Sequence, residues 1–268
     1  MAENSDARVR RTRSVETLLA LFLFLGLGSG HPSTGAEMVE TIEEMPAAVR
    51  EEAIGMNPEY LVARPAGAAT EQEPALLIYL HGGGGVGRDI RRIARNNSAL
   101  KYWNRQKTQP FIIVAPQCLP EFKWRANSLQ VFLEHLEESL EVDSARVYLT
   151  GYSMGGYGTW IWAAAFPESF AAVAPVAGGI GEGGPKDISP DLDSWLDSLK
   201  GVPTWIFHGG NDRVVPVDRS VTMYRGLIER SHRELGLTIY PGEGHDCFDA
   251  FKDPRLYGWM LSHTRRTE

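Results

Sequence analysis

The sequence predicts an α/β protein built on a mostly parallel central sheet with helices on both faces. Three observations carry that prediction. Short, unbroken apolar runs recur along the chain, as at residues 75–80 (ALLIYL) and 111–115 (FIIVA). Runs of this length and evenness suit strands buried on both sides, the pattern of a parallel sheet. Segments with helical spacing alternate with them: Leu129, Phe132, Leu133, Leu136 and Leu140 share one face of residues 127–140. Glycine-rich turns follow several strands, at the carboxyl ends where ligands bind in such sheets.

Read from the start, residues 8–13 hold four arginines, and a ten-residue apolar run (LLALFLFLGL) follows from Leu18. Gly28, Ser29 and Gly30 end the run, and Thr34-Gly35-Ala36 places small residues where a signal peptidase reads. This three-part pattern predicts a signal peptide over residues 1–36, an exported product (periplasmic or extracellular) and a catalytic domain over 37–268. The apolar run is short for a membrane span, so no membrane association is expected after cleavage. Residues 37–58 are polar with weak helical spacing and one short helix near 47–54. A strand is expected at 60–64, then a loop rich in Ala, Gly and Pro at 65–74.

After the strands at 75–80 and 111–115 come the helix at 127–140, a strand at 146–150 (RVYLT) and a helix at 155–166. Strands at 170–176, 203–207 and 237–240 follow, with a helix at 217–229 between the last two and a terminal helix at 256–263. Residues 177–202 have room for a loop and one helix, so no lid domain is expected. Neither a repeat nor a linker divides the body, and without the signal about 232 residues remain, a size that suits one sheet-centred domain.

The chain is 43% hydrophobic and 23% charged, which excludes disorder and low-complexity architectures. Its net charge is −7 with no basic block in the body, which argues against a nucleic-acid partner. Two cysteines, Cys118 and Cys247, lack C-x-x-C spacing and make a structural zinc site improbable. No cluster of metal ligands stands out and no cofactor is required by the motifs below.

Gly151-Tyr152-Ser153-Met154-Gly155 is a G-x-S-x-G pentapeptide set between a strand and a helix. That setting is what a nucleophilic serine needs. A sharp strand-to-helix turn projects its hydroxyl above the sheet, and flanking glycines let neighbouring backbone approach. The helix N-terminus beside it favours developing negative charge.

With the elements around it, GYSMGGYGTW resembles the α/β-hydrolase fold. Within that superfamily the chain is similar to compact esterases and predicted peptidases related to polyhydroxybutyrate depolymerases and feruloyl esterases. The resemblance runs from about Leu76 to His263 and rests also on YLHGGGG, VAPQC, FHGGNDRVVP, YPGEGHDCF and DPRLYGWMLSH.

A serine hydroxyl is a weak nucleophile until a base takes its proton. Of seven histidines, His31 lies in the signal segment, His81 and His208 sit at strand ends suited to structural hydrogen bonds, and His135 and His232 read as lying on polar helical faces. The hydrolase order Ser, acid, His leaves His245 and His263. His245 is preferred because its turn-rich loop, PGEGHDC, can carry an imidazole over the serine. Asp212, four residues past His208, is the expected acid. An aspartate there also suits an Asx-turn, and Asp218 and Asp246 are the alternatives. The oxyanion donors are expected to be the Met154 N–H and an N–H of the His81–Gly85 loop; the resemblance favours Gly83, with Gly84 next. No lysine completes a phosphate loop there.

The resemblance also offers Trp124 as a wall of the acyl pocket, against the alternative of a packed surface tryptophan. Both cysteines lie past strand ends on the catalytic side, where export would permit a disulfide if the Cα atoms lie within about 7 Å. Together these readings imply a serine hydrolase that cleaves carboxylic esters through an acyl-serine. Its expected substrate is a small or polymer-attached ester. A peptidase, an acyltransferase and a non-catalytic binding module are the alternatives. A histidine base further implies activity that falls toward acid pH.

Overall fold

The structure, a computed structural model, describes residues 38–65, 73–96, 111–182 and 184–265. The expected signal peptide lies outside the described residues, as does most of the loop at 65–74. One eight-stranded sheet organises the described chain. Its strands are β1 (Met38–Glu44), β2 (Met56–Pro65), β3 (Ala75–Leu80), β4 (Phe111–Cys118), β5 (Val147–Tyr152), β6 (Ala172–Val176), β7 (Thr204–Gly209) and β8 (Leu235–Tyr240). They lie in the order β1-β2-β4-β3-β5-β6-β7-β8. From β4 to β8 every pairing is parallel, while β1 and β2 add an antiparallel edge.

The central strands show why their sequences read as unbroken apolar runs. Side chains alternate across a strand. Leu76, Ile78 and Leu80 of β3 enter one core, and Ala75, Leu77 and Tyr79 enter the other. In β5, Val147 and Leu149 face the first core and Tyr148 the second. The first core is closed by helices α1 (Ala47–Glu52), α3 (Ala126–Ser139), α4 (Met154–Ala165), α5 (Leu192–Leu199) and α6 (Asp218–Glu229). The second is closed by α2 (Arg91–Asn96), α7 (Asp249–Lys252) and α8 (Pro254–Leu261). Asp253 starts α8 as its N-cap, accepting from the Arg255 N–H at 2.9 Å, with Pro254 at the first helical position.

The sequence reading omits α2 and α7, starts β2 late and ends β4 early, and misjudges two further places. Residues 38–44, read as polar with weak helical spacing, form β1, which pairs with β2 from Met38↔Pro65 to Glu44↔Glu59. An edge strand exposed on most positions needs no apolar pattern, so pairing decides its conformation. His232, read as lying on a polar helical face, is buried beyond α6, its Nε2 2.7 Å from the Val202 carbonyl. Residues 177–182 and 184–202 hold only α5 and an isolated bridge between Ile180 and Ile188, in keeping with the expected lack of a lid. Among the described residues, no helix is long and apolar enough to cross a membrane.

Candidate active site

Ser153 occupies the single residue between β5 and α4, with φ 57° and ψ −114°. A positive φ is strained for any residue with a Cβ, and the surrounding bonds hold it. The Ser153 N–H donates to the Val176 carbonyl at 2.9 Å, and its own carbonyl accepts from the Tyr157 N–H at 3.0 Å. The two glycines of the pentapeptide are required by contact. A Cβ on Gly151 would lie 2.3 Å from the Gly155 oxygen, and one on Gly155 would lie 1.9 Å from the Leu80 oxygen.

His245 arrives on the loop after β8. The start of that loop is tied to the loop after β7 by Asn211 N–H to Glu243 O at 2.8 Å, and by the Asn211 side chain to Pro241 O at 2.9 Å. Its Nε2 lies 2.8 Å from Ser153 Oγ, and its Nδ1 lies 2.7 Å from Asp212 Oδ2. An ionised carboxylate only accepts, so the partners assign the proton to Nδ1 and leave Nε2 to accept from the serine hydroxyl. Tyr152, the second residue of the pentapeptide, packs its ring 5.1 Å from the imidazole and 4.6 Å from Phe248. Its hydroxyl donates to Asp246 Oδ1 at 3.1 Å, so Asp246 serves the wall around His245.

Asp212 does both things its sequence context allows. Its Oδ1 closes an Asx-type turn, accepting from the N–H groups of Val214 and Val215 at 2.8 and 2.9 Å. Its Oδ2 faces His245. The carboxylate itself is fully buried.

The loop after β3 passes beside Ser153: a Cβ on Gly82 would sit 3.3 Å from Ser153 Cβ. Gly83 and Gly84 are exposed, and side chains built on them would meet open space. Met154 and Gly83 each open a helical turn, so neither N–H has an acceptor within its turn.

Buried groups hold this loop from below. The His81 Nδ1–H donates to Gly82 O at 2.7 Å and Nε2 accepts from the Cys118 N–H at 3.0 Å, which fixes a neutral ring. Gln117 donates to Gly85 O at 2.9 Å and Asp89 O at 3.1 Å, and Asn57 donates to Gln117 Oε1 at 2.7 Å. None of these partnerships was visible in the sequence, because Asn57 and Gln117 are 60 positions apart.

Trp124 is corrected by its surroundings. It is 3% exposed, its indole N–H donates to His81 O at 3.2 Å, and its ring packs against His81 and Gly158. It supports the loop from inside the core and presents no wall to substrate.

The cysteines are free. Cys118 belongs to the core on one face of the sheet and Cys247 to the core on the other, which rules out the disulfide. Burial pushes both thiols up to about 12. Thiol titration should therefore find both unreactive in native protein and both released by denaturant; one thiol or none after unfolding would contradict the placement.

Burial pushes the His81 imidazole down to about 4 and lowers His208 and His232 in the same direction. An unfolded imidazole takes its proton near 6.5. The unfolded chain therefore binds more protons below that pH, and stability present at neutral pH is lost as pH falls from about 6.5 toward 4. His81 alone should account for on the order of 2 kcal/mol between pH 7.5 and 5. Measured in a Glu243→Gln background, which removes an opposing carboxyl raised to about 7, urea midpoints at those two values should differ accordingly; equal midpoints there would contradict a buried neutral ring.

Comparison with known proteins gives the family. The family model described as "Dienelactone hydrolase family" matches residues 117–257. A thermostable esterase of known structure superposes with a TM-score of 0.68 at 25% identity, covering 85% of this chain and 64% of that one. The "Poly(3-hydroxyalkanoate) depolymerase C" of Paucimonas lemoignei is 39% identical over 54 residues, which is 20% of this chain and 13% of that protein. The "Probable feruloyl esterase C" of Aspergillus terreus is 26% identical over 180 residues, 65% of this chain and 62% of that protein. The chain thus spans less than two thirds of the length of these relatives. The matched residues contain the serine elbow, the acid and the histidine loop, and on that match the chain belongs to the dienelactone hydrolase family of the α/β-hydrolase superfamily.

Proposed function

We propose that the chain is a serine hydrolase that cleaves carboxylic esters through an acyl-serine intermediate. The observation that carries this reading is the continuous chain Ser153 Oγ, His245, Asp212, with links of 2.8 and 2.7 Å. In this mechanism His245 Nε2 takes the hydroxyl proton as Ser153 attacks the acyl carbonyl. Asp212 holds the imidazole in the tautomer that can accept it and stabilises the imidazolium that forms. The Met154 and Gly83 N–H groups donate to the oxyanion, each such donor contributing about 3 kcal/mol to the transition state. His245 then protonates the departing alkoxide. Water, deprotonated by the same imidazole, releases the acid.

The substrate class follows from access. Gly83 and Gly84 are exposed on the loop that passes Ser153, and the described residues of 177–202 contribute no element larger than α5. An open approach of this kind favours bulky or polymer-attached esters. We further propose export, with residues 1–36 as the cleaved signal; N-terminal sequencing of the secreted product tests this.

The reaction is tested by treating purified protein with a fluorophosphonate. Turnover of p-nitrophenyl acetate, p-nitrophenyl butyrate and a feruloyl ester is measured in parallel. Labelling lost in Ser153→Ala together with ester turnover is the expected result. Labelling without turnover of any ester would overturn ester hydrolysis in favour of peptide cleavage or acyl transfer.

A further inference from the structure

A second histidine stands behind the catalytic carboxylate. His208 is the penultimate residue of β7 and is wholly buried. Its Nε2 lies 3.2 Å from Asp212 Oδ2 and 3.0 Å from the Val215 carbonyl. Both neighbours are acceptors, so this nitrogen carries the proton and donates it to the Val215 carbonyl, with Asp212 Oδ2 close enough to be stabilised by the same N–H. On the other side, Nδ1 lies 2.7 Å from Oγ of Ser220, on the first turn of α6. A neutral ring accepts there from the serine hydroxyl. Every polar atom of the ring is thus satisfied in one tautomer, and burial opposes charging it.

The consequence falls on Asp212. Its Oδ2 serves two imidazoles, His245 at 2.7 Å and His208 at 3.2 Å, while Oδ1 is held by two backbone N–H groups. Hydrogen bonds to a carboxylate stabilise its charge and reduce its pull on any other donor. We propose that Ser220 and His208 form a positioning pair that orients Asp212 and moderates the basicity that Asp212 confers on His245. The inference rests on the Ser153–His245–Asp212 reading above.

Other titratable groups surround Asp212 and His245. Tyr152 reaches them from β5, and Glu243, Asp246 and Cys247 come from the His245 loop. Burial raises the Tyr152 and Cys247 groups, which keeps both neutral through the working range. Glu243 is raised to about 7 by burial and by Asp249, so it titrates on the same loop. On α6, Arg219 is turned to the Lys186 carbonyl. All of these stay unchanged in the variants below, so a difference between variants belongs to residue 208.

The test compares His208→Leu, which removes the donor, with His208→Gln, whose amide can restore it. The readouts are the pH dependence of kcat/KM for p-nitrophenyl acetate and of fluorophosphonate labelling of Ser153. Without the competing donor, Asp212 holds the His245 imidazolium more strongly. The acid limb in His208→Leu should therefore move to higher pH by about half a unit or more, with kcat reduced, and His208→Gln should bring the midpoint back. A purely structural histidine would lower thermal stability and leave the midpoint alone, and that result would overturn the proposal. Nitrogen-15 NMR of histidine in the unmodified protein gives a second reading that needs no variant to fold. His208 should remain the neutral Nε2–H tautomer from pH 6 to 8; a charged ring or the Nδ1–H tautomer at pH 7 would overturn it. Loss of labelling in the unmodified protein would instead count against the triad.

Discussion

Ser153→Ala is expected to reduce ester turnover by about 10,000-fold or more while leaving the protein folded. The reason is local. Among the described residues, His245 Nε2 is hydrogen-bonded to this hydroxyl, at 2.8 Å, and the proposed covalent route ends without it. The fold should survive, because the bonds that hold the elbow run through the Ser153 N–H and carbonyl, which alanine keeps. Alanine also keeps the strain, since φ is 57° and Cβ remains. Ser153→Gly removes both the hydroxyl and the strain. It should be equally inactive but more resistant to urea than Ser153→Ala, by about 1 kcal/mol after the entropic cost of glycine. Initial rates on p-nitrophenyl acetate and urea midpoints for the two variants check this. A Ser153→Ala protein with more than a few percent of the original rate would dismiss the nucleophile assignment. A Ser153→Gly protein no more stable than Ser153→Ala would remove strain from the account of the elbow.

The parts of the fold that were legible share one property: their conformation is dictated by burial on both sides. β3 and β5 are apolar at nearly every position because one core takes each odd residue and the other each even one. β1 has no such constraint. Its exposed Glu and Thr side chains suit a polar loop equally well, and its partner, β2, lies up to 27 positions away in the chain (Met38↔Pro65). For β4 the apolar run predicts a strand that ends at Ala115. It continues to Cys118 because its pairing with β3 ends at Val114, leaving Pro116 beside β2 alone.

The candidate site divides the same way. Ser153, Asp212 and His245 could be named because each follows a strand end, carries turn residues around it and falls in the Ser, acid, His order. Their supports could not. Asn57 and Gln117 look ordinary in sequence, Trp124 invites a reading as a pocket wall, and only the folded sheet brings them and His81 under one loop. His208 was read as a structural histidine, and it does make structural bonds to Val215 and Ser220. Its third contact, to Asp212, depends on how the turn after β7 folds back, which four residues of spacing leave undetermined.

Gly155→Ala should show how closely the nucleophile is tied to the sheet. The added methyl would sit 1.9 Å from the Leu80 oxygen and 2.9 Å from the His81 oxygen. Those atoms are backbone at the end of β3, where no side-chain rotation can relieve the contact. Either the start of α4 lifts or the end of β3 is pushed away. The first displaces Ser153 and Met154 together; the second displaces the loop that carries Gly83. A shift of about 1 Å at reacting groups costs about 100-fold in rate, and the overpacking costs about 1–3 kcal/mol besides. The expected result is therefore a soluble but destabilised protein whose kcat for p-nitrophenyl acetate falls at least 100-fold, with slower fluorophosphonate labelling in step. Gly201→Ala is the internal control, because its methyl meets nothing within 4 Å and the residue lies before β7, away from the elbow. It should retain stability and label at close to the original rate. If Gly155→Ala matched Gly201→Ala in both rate and urea midpoint, the close approach of α4 to β3 would not be what positions Ser153.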